Sequence, residues 1–257
     1  SADYILKSVN DLEIKNSSVV TILNSAGDDN GVVVISYNPT KKVSNIKVEM
    51  FDQAGKTVKT YSKKDFSDYT NNPNAGLYVD DRVLVLKPVS PKYPYSLKTT
   101  YEVNTSNTVY LSSFRPIYDF GISVEKSTFS VLNNSGIKVR TKINESPLAK
   151  VKNSENGNLW NYSFENIPAI THEDLAPSLY SLVPSVEFSP EQFSLEGKQG
   201  DMTSWDTFGK WYYEKLLTPV SAVTPEISAE VAALNLSGTT SEKVKTLYQY
   251  MQNKTRY

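Results

Sequence analysis

The seven residues Asn45–Phe51, NIKVEMF, show the sequence pattern from which the fold class of this chain follows. Ile46, Val48 and Met50 alternate with polar residues, as expected for a strand with one buried face. Segments of this kind recur from the N-terminus to about residue 190, without helical segments between them. Many short strands in such an order predict a mainly β protein with antiparallel β-sandwich architecture, as one large sandwich or two.

The other predicted strands share a high content of β-branched and aromatic residues. They are Ser18–Asn24, Val32–Asn38, Leu77–Val89, Leu97–Val103, Phe120–Val131, Gly136–Asn144 and Leu159–Phe164. Between the first two, Asn30 and Gly31 predict a tight hairpin because both residue types tolerate positive φ. Asp52–Gly55 predicts a second hairpin. Lys63–Gly76 is polar and predicts a long loop, and Asn153–Asn158 predicts a polar turn.

After about Gly200 the apolar spacing becomes helical. The first predicted helix has a stripe with spacings of three and four residues, formed by Trp205, Phe208, Tyr212 and Leu216. Thr224 followed by Pro225 predicts the start of a second helix, with Ile227, Val231 and Leu234 as its stripe. The chain therefore divides into a β domain at 1–200 and a helical segment at 201–257.

A third helix is predicted in the last stretch, Ser241–Tyr257, SEKVKTLYQYMQNKTRY. Thr239 and Glu242 form a capping box before it. Its apolar stripe consists of Val244, Leu247, Tyr248 and Met251. Because three short helices bury little surface alone, we expect them to pack on the sandwich or on residues beyond Tyr257.

Composition narrows the possible functions. Lys and Arg number 27 against 28 Asp and Glu, a net charge of −1, which argues against a nucleic-acid-binding surface. The chain contains no Cys, so thiol catalysis, disulfides and thiolate metal sites are excluded within it. Neither a transmembrane run of about 20 apolar residues nor a signal peptide is visible. We therefore expect a cytoplasmic protein or a mature or trimmed form.

Three motifs resemble known sites but fit them poorly. Gly55-Lys56-Thr57 resembles the end of a phosphate-binding loop, but Met50 stands where that loop requires glycine. Ala26–Gly31 overlaps a calcium loop without its first ligand or its glutamate, so a hairpin is favoured. Asp80 and Asp81 point to opposite faces if they lie on a strand, which favours a solvated site or one paired with Arg82 over acid–base catalysis.

The single histidine, His172, precedes Glu173 and Asp174. Consecutive residues rarely converge on one ion, and no second histidine exists, so we predict no metal site. No serine motif marks a catalytic partner for His172, so we predict no catalytic residue and no cofactor. The aromatic residues of the first helix suit a protein core better than a ligand platform. His172 and Tyr213 are our candidates for surface recognition.

Several segments resemble a known family. Asn166–Pro190 contains Asn-Ile-Pro-Ala, Glu-x-x-Ala-Pro and Pro-x-Val-x-Phe motifs, and Trp205–Tyr257 contains the helical motifs. Together with Asp52-x-x-Gly55-Lys56 and Tyr78-x-Asp80-x-Arg82-Val83, they resemble DUF3857 β domains followed by the opening helices of a transglutaminase-like domain. Such proteins occur in the cell envelope of Bacteroidetes.

The resemblance implies a periplasmic or secreted protein. In that family the catalytic Cys lies downstream of the Arg-Tyr dipeptide, here Arg256-Tyr257, so no catalytic residue transfers to this chain. The resemblance then implies a non-catalytic β domain that scaffolds or presents substrate to a downstream transglutaminase-like or cysteine peptidase-like domain. The alternative is a freestanding protein- or glycan-binding or adhesion module. An independent hydrolase is disfavoured because the necessary residues are missing.

Overall fold

A large twisted sheet with smaller sheets on its inner face dominates the computed structural model, which describes residues 1–71, 80–90, 92–111 and 113–255. The described strands, in chain order, are β1 (Ala2–Ser8), β2 (Asp11–Ile22), β3 (Val33–Tyr37), β4 (Lys41–Phe51), β5 (Thr57–Ser62), β6 (Ser67–Thr70), β7 (Arg82–Leu86), β8 (Tyr95–Thr105), β9 (Val124–Asn133), β10 (Val139–Asn144), β11 (Lys152–Asn156), β12 (Leu159–Ile167), β13 (Ser185–Pro190), β14 (Gln192–Leu195) and β15 (Lys198–Asp201).

The described helices are fewer and mostly C-terminal. They are α1 (Leu179–Leu182), α2 (Trp205–Tyr212), α3 (Thr218–Val220), α4 (Pro225–Ala233) and α5 (Thr240–Lys254), with a π-helical turn at Tyr213–Leu217 and 3-10 turns at Ser25–Gly31, Lys63–Asp65 and Thr108–Tyr110. Strands account for 44% of the described residues and helices for 23%. The prediction of a mainly β, antiparallel fold with a short helical C-terminal segment is therefore confirmed.

The large sheet has eight strands in the order β11-β12-β9-β1-β2-β8-β4-β5. Its neighbours are antiparallel except β1 and β9, which pair in parallel. A three-stranded sheet, β3-β7-β6, contributes to the core over one half, and β13, which pairs with β10, contributes to the core over the other half. The inner face of the large sheet is therefore covered by two separate layers.

Strand alternation explains the position of the core. Ile46, Val48 and Met50 are at most 8% exposed, as their spacing predicts. Over the other half, a larger cluster surrounds the rings of Phe129 and Phe164, which are 2% and 0% exposed. The opposite face of the large sheet has polar and charged side chains, typical of an antiparallel sheet with one solvated face.

The predicted hairpin at Asn30 and Gly31 is wrong. Residues Ser25–Gly31 form a 3-10 turn, which the Asn24 side chain caps by accepting a hydrogen bond from the Ala26 N–H. This turn carries the chain from β2 in the large sheet to β3 in the three-stranded sheet. A tight hairpin requires its flanking strands to pair with each other, and these two do not.

Two other predictions missed polar strands. Within the predicted loop Lys63–Gly76, β6 pairs with β7. Residues 72–76 of this loop prediction and residues 77–79 of the predicted strand Leu77–Val89 lie outside the described residues. The predicted turn Asn153–Asn158 is mostly strand β11, which pairs with β12 at the end of the large sheet. Every residue of both strands is exposed, and neither strand has the apolar alternation that marks a half-buried strand.

The start of the helical segment packs on the β14–β15 hairpin. Trp211 is 8% exposed, its ring lies 4.7 Å from that of Phe193, and its Nε1 donates a hydrogen bond to the Gln199 carbonyl. Trp205, which the sequence placed in the apolar stripe, is 88% exposed. Tyr212 of the same predicted stripe is also exposed, at 44%. The predicted stripe is thus wrong at these two positions, because α2 turns Trp211 to the hairpin instead.

Asp201 joins this hairpin to α2, and its hydrogen bonds predict how the stability of the protein depends on pH. Hydrogen bonds from the Thr203 hydroxyl, the Gln192 amide and the Thr203 N–H lower the pKa of Asp201 from 3.8 to about 2. A lowered folded pKa stabilises the protein above the unfolded value, and this contribution disappears as the pH falls toward 2. We expect Asp201→Asn to lower the thermal midpoint at about pH 6 and to differ little from wild type at about pH 2. An equal difference at both pH values, in thermal unfolding followed by circular dichroism, would contradict this.

Candidate functional site

The last two helices present apolar side chains to solvent. Both start with good caps, since Thr224 accepts a hydrogen bond from the Ile227 N–H and Thr239 accepts one from the Glu242 N–H. Glu242 in turn accepts a hydrogen bond from the Thr239 N–H, which completes the predicted capping box. Local sequence is therefore enough to fix where these helices begin.

The predicted stripe of α5 forms but no other described part of the chain buries it. Val244 and Tyr248 are 58% exposed and Met251 is 43% exposed, while Leu247 is half-buried. No residue of α4 or α5 is buried. We call Val244, Leu247, Tyr248 and Met251 the α5 stripe. Exposed apolar patches of this kind commonly mark interaction surfaces.

A polar contact links α4 to α5. The Glu230 carboxylate accepts hydrogen bonds from the Tyr250 hydroxyl at 2.7 Å and from the Lys254 ammonium at 3.1 Å. These donors, Tyr250 first, hold the pKa of Glu230 below its ordinary value. Because both side chains are exposed, the pair contributes little to stability. The α5 stripe is therefore supported by weak polar contacts rather than by a core.

His172 lies in the coil between β12 and α1, at a shallow cavity. Its ring contacts that of Phe120 edge-on, with centroids 5.0 Å apart. Tyr118 and Tyr180 also line the cavity, and the Arg115 guanidinium lies 4.9 Å from the centre of the Tyr180 ring. Asp119 and Glu173 line the cavity too, and His172 is exposed at its surface.

The described residues contain no group of three or more His, Asp or Glu side chains arranged to hold a metal ion. Among the hydrogen bonds of the described residues, none joins His172 to a serine or a carboxylate. Tyr213, the other predicted recognition residue, is 63% exposed at the start of the π-helical turn. No hydrogen bond or ring contact in the described part of the chain brings Tyr213 and His172 together.

The acidic pair at Asp80 and Asp81 is solvent-exposed, as one of the two interpretations predicts. The other interpretation, a pair with Arg82, is wrong. The Arg82 Nε donates instead to Asp68 and to the Tyr37 hydroxyl, both at 3.0 Å. Asp81 accepts a hydrogen bond from the Asn38 side chain at 2.9 Å.

Sequence reasoning also missed Trp205 as an exposed aromatic residue. Trp205 is the first residue of α2, after the Ser204 cap. Its place at the start of the helix could have indicated exposure in the sequence, because the first residue of a helix has fewer neighbours on its own helix.

None of the described helices has both the length and the apolar content needed to cross a membrane.

The structure of the chain is similar to a solved structure from Parabacteroides distasonis, a crystal structure described as that of a "putative protease". The TM-score is 0.69 at 17% sequence identity, which shows a shared fold. The match covers 98% of this chain and 48% of the other, so the chain spans about half the length of that relative. No curated protein matches the sequence.

The family comparison agrees with the resemblance inferred from the motifs. The model of DUF3857, described as a domain of unknown function with a solved structure, matches residues 10–171. This range includes every strand from β2 to β12. The match extends over more than half of the sequence, and the chain therefore belongs to the DUF3857 family.

Proposed function

We propose that the chain is a non-catalytic β scaffold that docks and presents substrate to a transglutaminase-like, cysteine peptidase-like domain of the same longer polypeptide. The observation that carries this proposal is the exposed α5 stripe, because an amphipathic helix gains most of its stability by burying its apolar face. The related structure is about twice as long and is described as that of a "putative protease". The resemblance of the helices to those that open a transglutaminase-like domain supports the same proposal. It also favours a periplasmic or secreted location.

In this proposal the catalytic groups belong to the downstream domain. Residues that follow Tyr257 would cover the α5 stripe, and a Gly-Asp-Cys segment would supply the nucleophile. The sequence of the encoding reading frame tests this first. A stop directly after Tyr257 would contradict the scaffold proposal and favour a freestanding module.

The stripe itself is tested by Val244→Glu. In the 257-residue chain this change should alter the free energy of unfolding by less than about 0.5 kcal/mol, because Val244 is exposed. In the longer polypeptide, which includes the residues after Tyr257, the same change should lower the free energy of unfolding by about 1–3 kcal/mol. The reason is that a carboxylate would enter a covered apolar surface. Chemical denaturation of both forms measures the difference.

Lys245→Glu is the matched control, since Lys245 lies outside the stripe and is exposed. It should have little effect in either form. If Val244→Glu lowers the free energy of unfolding no more in the longer polypeptide than in the 257-residue chain, the α5 stripe is not a domain interface.

The second candidate function is a freestanding protein- or glycan-binding module. The exposed rings of Trp205 and Tyr213 favour it, because aromatic side chains provide much contact area at recognition surfaces. Titration of the purified chain with glycan and protein ligands, followed by tryptophan fluorescence, tests it. Binding that Trp205→Ala abolishes would support this candidate.

A further inference from the structure

A cleft lies over the middle of the large sheet, on its inner face. Its volume is about 390 Å3, within the range of about 300–1,000 Å3 for known ligand pockets. Tyr4, Ile14 and Asn16 of β1 and β2, together with residues of β8, line it. Residues 34–36 of β3 line it as well, and so does Tyr110. The cleft thus has the large sheet as its floor and β3 along one side.

β3 is an edge strand of the three-stranded sheet, since β7 is its one partner strand among the described residues. The N–H and C=O of Asn38, just after β3, are bonded to Lys41 rather than to β7. Peptide groups two and four residues earlier point to the same side, because a strand alternates with period two. Val34 and Ser36 therefore direct their peptide groups away from β7, where no hydrogen bond to another described residue engages them.

Lys41 is the one charged side chain among the described residues that line the cleft. Its ammonium donates a hydrogen bond to the Ser36 hydroxyl at 3.0 Å, which leaves two of its three donors without a hydrogen bond to a described residue. Burial lowers the pKa of Lys41, against the opposing effect of Asp81. A half-buried ammonium with spare donors favours an anionic partner.

The carboxylates near Lys41 are already engaged. Asp81 accepts a hydrogen bond from the Asn38 amide, and Glu196 accepts hydrogen bonds from Asn107 and Thr40. No acidic residue is among the described residues that line the cleft. The local charge therefore complements a ligand carboxylate.

Two polar side chains on the floor of the cleft also have hydrogen-bonding groups that no described residue uses. Asn16 lies directly opposite Tyr101 in the β2–β8 ladder, and both line the cleft. Within the described residues, neither the Asn16 amide nor the Tyr101 hydroxyl has a hydrogen-bond partner. Burial, followed by the neighbouring Tyr4, raises the pKa of Tyr101, so its hydroxyl stays neutral and able to donate at neutral pH.

We propose that the cleft binds an extended acidic peptide segment of another protein, which adds as a strand to the free edge of β3 and places an Asp or Glu side chain at Lys41. Main-chain hydrogen bonds to an exposed edge strand are a recurring mode of peptide recognition, and pockets for alternate side chains give specificity. Here Lys41 receives the acidic side chain, and Asn16 and Tyr101 face the next inward position.

A polypeptide fits these observations better than a sugar does. The free peptide groups of Val34 and Ser36 match the repeat of another strand, and an unprotected edge is an established template for strand addition. A sugar would use the side chains of the floor but not the main chain of β3. The inference goes beyond the proposed function and does not depend on it, because binding is measured on the 257-residue chain without any catalytic domain.

The test uses fluorescence anisotropy with a labelled heptapeptide of sequence TVTEVTV. We expect it to bind at least about tenfold more tightly than the matched peptide with Gln in place of Glu, because a hydrogen-bonded charge at a half-buried site is lost. Lys41→Met should remove this preference and leave the affinity for the Gln peptide unchanged. Lys47→Met is the matched control, because Lys47 of the same strand pairs with Glu49 and is exposed.

Ser36→Pro tests the role of the main chain. It removes one N–H from the free edge, where proline is tolerated, and should weaken the binding of both peptides. Methylation of alternate peptide nitrogens in the Glu peptide tests the same point without changing the protein, so the test stands even if Ser36→Pro does not fold. Absence of binding by the Glu peptide, equal affinity for the Glu and Gln peptides, or undiminished binding of the methylated peptide would overturn the proposal. Binding of a glucuronate disaccharide in place of the peptides would also overturn it.

Discussion

Replacing Phe129 with alanine is expected to lower the free energy of unfolding by about 3–5 kcal/mol, because a large cavity would open in the main core. Phe129 is 2% exposed on β9. Its ring lies 4.8 Å from Phe114, 4.9 Å from Tyr4 and 5.1 Å from Phe188, measured between centroids. These partners come from the large sheet and from the layer above it, so the change weakens the contact between layers.

Urea denaturation followed by circular dichroism measures this effect. Lys126→Ala on the same strand is the control, because Lys126 is exposed and should change stability by less than about 0.5 kcal/mol. A loss below about 1 kcal/mol for Phe129→Ala would show that the neighbouring side chains fill the space.

Gly200→Ala is expected to destabilise the junction between the β domain and the helical segment by about 1–3 kcal/mol. An added Cβ would lie 2.5 Å from Phe193 Cζ and 2.8 Å from Trp211 Cε2. Phe193 is 0% exposed and Trp211 is 8% exposed, so neither ring has room to move aside. We expect the fluorescence of Trp211 to shift to longer wavelength as its indole becomes hydrated.

Gly209→Ala provides a matched control within α2. A Cβ at Gly209 meets no atom within 4 Å, and alanine favours a helix over glycine by about 1 kcal/mol. This variant should therefore be more stable than the wild type in thermal unfolding. If both glycine variants have the same stability, crowding at Gly200 is not the cause of the expected loss.

Local alternation was sufficient to predict strands with one buried face. Ile46, Val48 and Met50 lie on the buried side because a strand repeats every two residues, and this period is visible in seven residues. The error at Asn30 and Gly31 has a different origin. Whether two successive strands form a hairpin depends on which distant strands they pair with, and β3 pairs with β7 about 50 residues later. Neighbouring residues do not contain that information.

Local sequence also predicted the start of α5, because the capping box at Thr239 and Glu242 is a contact between near neighbours. The exposure of the stripe depends on what the rest of the chain covers, which spacing alone does not encode. For the same reason, the sequence alone did not single out Lys41. Its position in the cleft arises where the β3–β4 turn meets β8. The roles of His172 and Tyr213 in recognition stay predictions.

The parallel pairing of β1 with β9 determines when the large sheet can be completed during synthesis. Residues 2–6 pair with residues 129–133, so one side of β1 has no partner until β9 has left the ribosome. The strands up to β8 include those that complete the other half of the large sheet, and they emerge earlier. At synthesis rates of about 5–20 residues per second, an unpaired edge in the middle of the future sheet persists for seconds. A nascent chain paused between β8 and β9 is thus the form most exposed to strand pairing with its neighbours.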